Sequence, residues 1–119
     1  MAYVDGFVVP VPKKKQQAYC AMARKAGKVW REHGALEYHE CIADDVSWGK
    51  RTSFPRSVKL KGSEVVWFSW IVYKSRKDRD RVMGKVMKDK RLASMMDPKK
   101  MPFDAKRMIF GGFKTVVEY

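Results

Sequence analysis

Two short stretches place side chains capable of chemistry. In YVDGFVV, from Tyr3 to Val9, Asp5 shares one face of an expected strand with Tyr3, Phe7 and Val9. A carboxyl among such neighbours loses water, which raises its pKa and fits it for general acid or base work. The competing role is a carboxylate paired with a neighbouring Lys or Arg, or exposed at a strand end. In LEYHECIADDV, from Leu36 to Val46, His39 and Cys41 share a face two residues apart. That spacing suits a nucleophile with its base, or a pair of metal ligands. No metal is expected, because His33, Cys20 and scattered carboxylates complete no recognised ligand spacing and a closed zinc site takes four ligands. No third group is in view to orient a Cys–His pair. Glu40, Asp44 and Asp45 form an acidic spot, read as a solvated strand end.

A second set is apolar. Trp30, Trp67, Phe68, Trp70, Phe103, Met108 and Phe110 are the stock from which a cavity could be lined. The same residues also serve as core. Trp70, Phe103 and Phe110, with Gly111 and Gly112, are the candidate ligand-binding residues. The two glycines interrupt a strand-like closing segment, KRMIFGGFKTVVEY, from Lys106 to Tyr119. Strand glycines mark bulges or close backbone approach, and here they also leave space beside Phe110 and Phe113. No G-x-G-x-x-G or P-loop pattern occurs, and no cofactor is expected.

The elements that would carry these residues follow from periodicity. Tyr3 to Val9 reads as a strand ended by Pro10 and Pro12. A helix then runs from Pro12 to about Gly34, its apolar stripe made by Tyr19, Met22, Ala26, Val29 or Trp30, and His33. Leu36 to Val46 is a peripheral strand: Leu36, Tyr38, Glu40 and Ile42 point one way, Glu37, His39, Cys41 and Ala43 the other. Ser47 to Ser63 is a long basic loop, either functional or disordered. EVVWFSWIVY, Glu64 to Tyr73, is apolar on both faces, as in a strand covered on both sides. Ser75 caps a second helix with Asp78 three residues on, and Val82, Met83, Val86 and Met87 form its stripe. A helical turn at Leu92 to Met96 precedes the last strand.

This order, βαββαβ, predicts an α+β, ferredoxin-like domain over residues 1–119. Its four-stranded antiparallel sheet carries two helices on one face. The helices cover one side of the Glu64–Tyr73 strand. The other side calls for a second copy, and a homodimer with two sheets enclosing a barrel-like interior is expected.

The charge balance is 26 Lys plus Arg against 13 Asp plus Glu, a net +13. That excess opens a polyanion or nucleic-acid reading, supported by Trp48 and Phe54 in the basic loop. The basic residues are spread along the chain and form no nucleic-acid-binding motif, so a solvated basic surface is the simpler account. Val65 to Tyr73 falls far short of the roughly 20 apolar residues of a membrane helix. No membrane association is expected. Cys20 and Cys41 stand apart in no C-x-x-C pattern, which predicts reduced, buried thiols and a cytoplasmic location.

Five stretches together carry a resemblance: YVDGFVVPVP, ARKAGKVWREHGALEYHEC, TSFPRSVKL, VVWFSWIVY and MPFDAKRMIFGGF. They resemble the YbaA-like family of small bacterial proteins of unknown function (domain of unknown function 1428), within the dimeric α+β barrels. The resemblance implies the fold and the dimer and carries over no catalytic residues. At the level of fold it brings small oxygenases and isomerases into view, so a cofactor-independent enzyme of that kind stands beside binding of a small apolar or aromatic molecule.

Overall fold

In the computed structural model, which describes residues 1–119, alternation builds a four-stranded antiparallel sheet. The strands are β1 (Tyr3–Pro12), β2 (Glu37–Ile42), β3 (Glu64–Tyr73) and β4 (Ile109–Lys114), in the order β2-β3-β1-β4. The helices are α1 (Gln16–Glu32), α2 (Phe54–Ser57), α3 (Arg76–Lys88) and α4 (Lys90–Ala93). This is the ferredoxin-like α+β arrangement that the element order predicts.

β1 runs on through both prolines, with Pro10 opposite Val66 and Pro12 opposite Glu64. β4 leaves β1 at Val8, so the prolines lie where β1 has a neighbour on one side only, the place a sheet tolerates a missing N–H. A 3-10 turn at Lys13–Lys15 then displaces the expected helix start from Pro12 to Gln16. α1 ends at Glu32, and Gly34 just beyond it has a φ of 120° that suits glycine. Ser75 caps α3 as expected, its Oγ accepting from the Asp78 N–H at 3.0 Å.

Odd-numbered residues of β1 and β3 face the helices. Val9, Val11 and Trp67 pack with Tyr19 and Ala23 of α1. Ile71 and Tyr73 pack with Ala26 and Val29 of α1 and with Val82 and Val86 of α3.

The 47–63 loop is not featureless. Ser53 caps α2, Pro55 and Val58 are buried, and Val58 packs on Val8 and Val66 on the opposite face of the sheet. The chain therefore covers one end of that face itself, in part correcting the expectation that only a second copy would do so. Beyond the loop, Phe68, Ile109 and Phe113 remain 42%, 44% and 64% exposed.

β4 is shorter than the Lys106–Tyr119 expectation, and its pairing is continuous from Tyr3↔Lys114 to Val8↔Ile109, with no bulge at the glycines. Close approach explains Gly112. The Tyr3 ring lies against its backbone, and a Cβ there would stand 2.8 Å from Tyr3 Cε2. Gly112→Ala is expected to lower stability by about 1–3 kcal/mol by pushing Tyr3 aside, as measured by urea denaturation.

Candidate functional site

A cavity of about 430 Å³ lies between the helices and the sheet. Seven of the eight methionines, all but Met1, line it. Unbranched thioethers make a wall that adapts to the shape of an occupant. Two carboxyls, Asp5 and Glu40, interrupt this apolar lining.

Asp5 sits in β1 opposite Ile71 and Gly112, with its side chain 9% exposed. Arg79 of α3 donates to it through Nη1 at 2.6 Å. The same guanidinium lies 5.0 Å over the Tyr3 ring, so Gly112, Tyr3, Arg79 and Asp5 form one chain of contacts. Tyr73 bears on Asp5 as well and accepts from the Trp30 indole N–H at 3.1 Å. Burial pushes the Asp5 carboxyl above its ordinary range, although Arg79 and these hydrogen bonds pull it back. Asp5 thus unites both expectations, desolvated and paired, and its proton chemistry is tied to Arg79.

Glu40 has no such partner. It lies on β2 opposite Ser69, on the helix-facing side of the sheet. Its Oε1 accepts from the Tyr19 hydroxyl at 2.8 Å and its Oε2 from the Tyr38 hydroxyl at 3.3 Å. The Ser69 hydroxyl faces it from β3. Burial pushes its pKa up, and the three hydroxyls offset only part of that rise. In return, burial and the Glu40 charge push both tyrosines well above the ordinary phenol range. Tyr38 can approach α1 because residue 27 is glycine; a Cβ there would stand 2.9 Å from Tyr38 Cδ1.

The reading of Glu40 as part of a solvated acidic spot is therefore corrected: it points into the cavity, while Asp44 and Asp45 are exposed. Its alternation with Tyr38 and Ile42 was visible in the sequence. Its contacts with Tyr19 and Ser69 depend on the fold.

A folded acid with a raised pKa holds its proton more tightly than the unfolded chain, so its effect on stability becomes less favourable as pH rises above the unfolded value. Glu40→Gln is thus expected to gain on the wild type as pH rises above the ordinary carboxylate range, as measured by denaturant melts across pH.

The other sequence candidates scatter. His39 borders the cavity, but its ring lies on the opposite face of the sheet, stacked on Trp70 at 4.6 Å and 3.0 Å from Glu37. Trp70 shares that outer face and lies next to Phe68 at 5.7 Å, away from the cavity. Phe103 lines the cavity and meets Tyr19 edge-on at 5.7 Å. Phe110 also borders it, stacked 6.1 Å from Phe7 and 71% exposed, as do Gly111 and Gly112. Cys41 is exposed and Cys20 half-buried, which corrects the expectation that both are buried. No cluster of His, Cys, Asp and Glu is arranged to hold a metal ion.

In the basic loop, Arg56 Nε donates to the Trp48 carbonyl at 2.8 Å and its Nη2 to the Gly49 carbonyl at 3.0 Å. Phe54 packs edge-on against Phe68 at 5.8 Å. Arg56 thus serves the folding of the loop itself, while Trp48 and Phe54 remain about half exposed. No helix of the chain is long and apolar enough to cross a membrane.

Fold and cavity together define a ferredoxin-like α+β protein with an apolar cavity between its helices and its sheet. Solved structures share this fold. A NIPSNAP family protein from Agrobacterium tumefaciens matches with a TM-score of 0.61 at 18% identity, covering 98% of this chain and 94% of that one. A dimeric ferredoxin-like protein from an uncultured marine organism matches with a TM-score of 0.58 at 10% identity, with the same coverage of 98% and 94%. The chain belongs to the DUF1428 family of proteins of unknown function, whose pattern matches residues 2–105. It is 48% identical over 118 residues to the uncharacterized protein YbaA of Escherichia coli K12 and, at the same level, to that of Shigella flexneri, covering 99% of each chain in both cases.

Proposed function

We propose that the protein binds a small, largely apolar molecule in the chamber between helices and sheet. The methionine wall interrupted by Glu40 carries this reading. A cavity of about 430 Å³ falls in the range of small-molecule sites, and a mostly apolar lining with a few convergent polar groups is what such sites present. We place this activity in a homodimer formed through the outer sheet face, where Phe68, Ile109 and Phe113 are exposed. The dimeric ferredoxin-like protein noted above supports such an assembly.

Native mass spectrometry of protein purified without denaturation tests the binding, together with uptake of the neutral fluorophore N-phenyl-1-naphthylamine. A retained small molecule, or saturable fluorescence lost on Met83→Trp, is expected. A chain that retains nothing and fails to take up the fluorophore overturns the reading.

One observation favours a catalytic variant of the same site. Glu40 has no basic partner and a pKa raised by burial, as suits a general base acting on a carbon or hydroxyl proton without a cofactor. This moves the acid–base role from Asp5, held by Arg79, and from His39, whose ring lies on the other face, to Glu40.

A further inference from the structure

We infer that the ligand of this chamber carries a positively charged nitrogen, which pairs with the Glu40 carboxylate. The inference deepens the small-molecule reading above and rests on it.

Glu40 lacks a basic partner. Among 26 Lys and Arg residues, basic partners are readily found for the other shielded acids. Asp5 has Arg79, Glu64 has Arg107, and Asp89 has both His33 and Arg91. Glu40 faces only hydroxyls, from Tyr19 of α1, Tyr38 of its own strand and Ser69 of β3. Arg24, Lys28 and Arg31 line a shallow groove outside α1 that also touches Glu40, but none forms an ion pair with it. Arg31 turns instead to the Leu36 carbonyl. The cation that would complete this carboxylate is missing from the chain itself.

The rest of the wall suits a cation with an apolar body. Tyr19 and Phe103 meet edge-on, and Trp30 and Tyr38 stand 6.1 Å apart, so several ring faces border the chamber near Glu40. Aromatic faces attract organic cations, most strongly where water is excluded. Thioether sulfurs add polarizable contacts without competing for the charge. Arg79, the cation of the chamber wall, is already neutralised by Asp5 and Asp80. The two phenols and Ser69 hold the carboxylate in place, and a charge-assisted bond to an ammonium is stronger than a neutral one. The net charge of +13 disfavours casual capture of cations elsewhere, so a preference for ammonium reports on this site.

Three isosteric probes decide it: 1-naphthylmethylammonium, 1-naphthylmethanol and 1-naphthoate, titrated calorimetrically at neutral pH into wild type and Glu40→Gln. The ammonium is expected to bind about tenfold more tightly than the alcohol, and the naphthoate more weakly than either. In Glu40→Gln the ammonium and alcohol are expected to bind equally. The inference falls, while the chamber remains a binding site, if the alcohol or naphthoate equals or exceeds the ammonium in the wild type. It falls equally if the ammonium preference survives in Glu40→Gln. If none of the three binds, the small-molecule reading falls with it. The wild-type ranking stands as a test even where the variant does not fold.

Discussion

Arg107→Ala is expected to destabilise the protein by about 3–5 kcal/mol, with a fall in Tm of roughly 10 °C or more. Arg107 forks onto Glu64, with Nη1 at 2.9 Å from Oε1 and Nη2 at 2.5 Å from Oε2. Its Nε reaches Asp104 at 2.8 Å, and Nη1 also donates to the carbonyls of Val58 and Lys59 at 3.2 and 3.0 Å. One side chain thus ties the start of β3 to the covering loop and to the segment before β4. The Glu64 side chain is 5% exposed, so the substitution leaves a buried charge without a partner. Arg107 holds Glu64 below the ordinary carboxylate range. The stability this pairing contributes is present above the unfolded pKa and lost as pH falls through the folded one. The penalty should therefore be full at neutral pH and shrink in acid, and urea melts of both proteins across pH measure it. Glu64→Gln combined with Arg107→Met should recover part of the loss, because no buried charge is left behind. An equal penalty at neutral and acid pH would remove the ion pair as its cause.

Phe68→Arg is expected to weaken the proposed dimer by about 100-fold or more while leaving the subunit folded. Phe68 is 42% exposed beside Trp70 and Phe54, so the fold of a subunit does not depend on it. In a two-fold contact the new charge meets its own copy, and like charges at an interface cost several kcal/mol. Sedimentation equilibrium of both proteins at micromolar concentration is the measurement. A wild type that sediments as a single copy, or a variant that still pairs as the wild type does, rules out the sheet-to-sheet arrangement.

Most of the fold was legible because each element followed one local rule. The two apolar faces of Glu64–Tyr73 placed a strand in the middle of the sheet, and Ser75 with Asp78 placed a helix start. What escaped was set by contacts distant in sequence. The prolines of β1 remain in the sheet because β4 stops short of them, which no local pattern states. The basic loop reads as polar, yet it supplies Val58 to a small core on the outer face. Glu40 was hidden for the same reason: Tyr19 lies 21 residues away from it, and the mixed faces of its strand did not mark which one is buried. Asp5 was the reverse case, a carboxyl marked by apolar neighbours whose partner Arg79 lies 74 residues on.

The strand written first in the chain lies inside the sheet, and both of its neighbours are written later. β1 pairs with β3 from residue 64 onward and with β4 from residue 109 onward. Its valines at positions 8, 9 and 11 therefore have no sheet partner until most of the polypeptide has been made. Such non-local pairing slows folding, and an unpaired apolar strand is a template for aggregation in the interval. A nascent chain halted before Ile109 would present one side of β1 bare, so completing the last six-residue strand is also what seals the first.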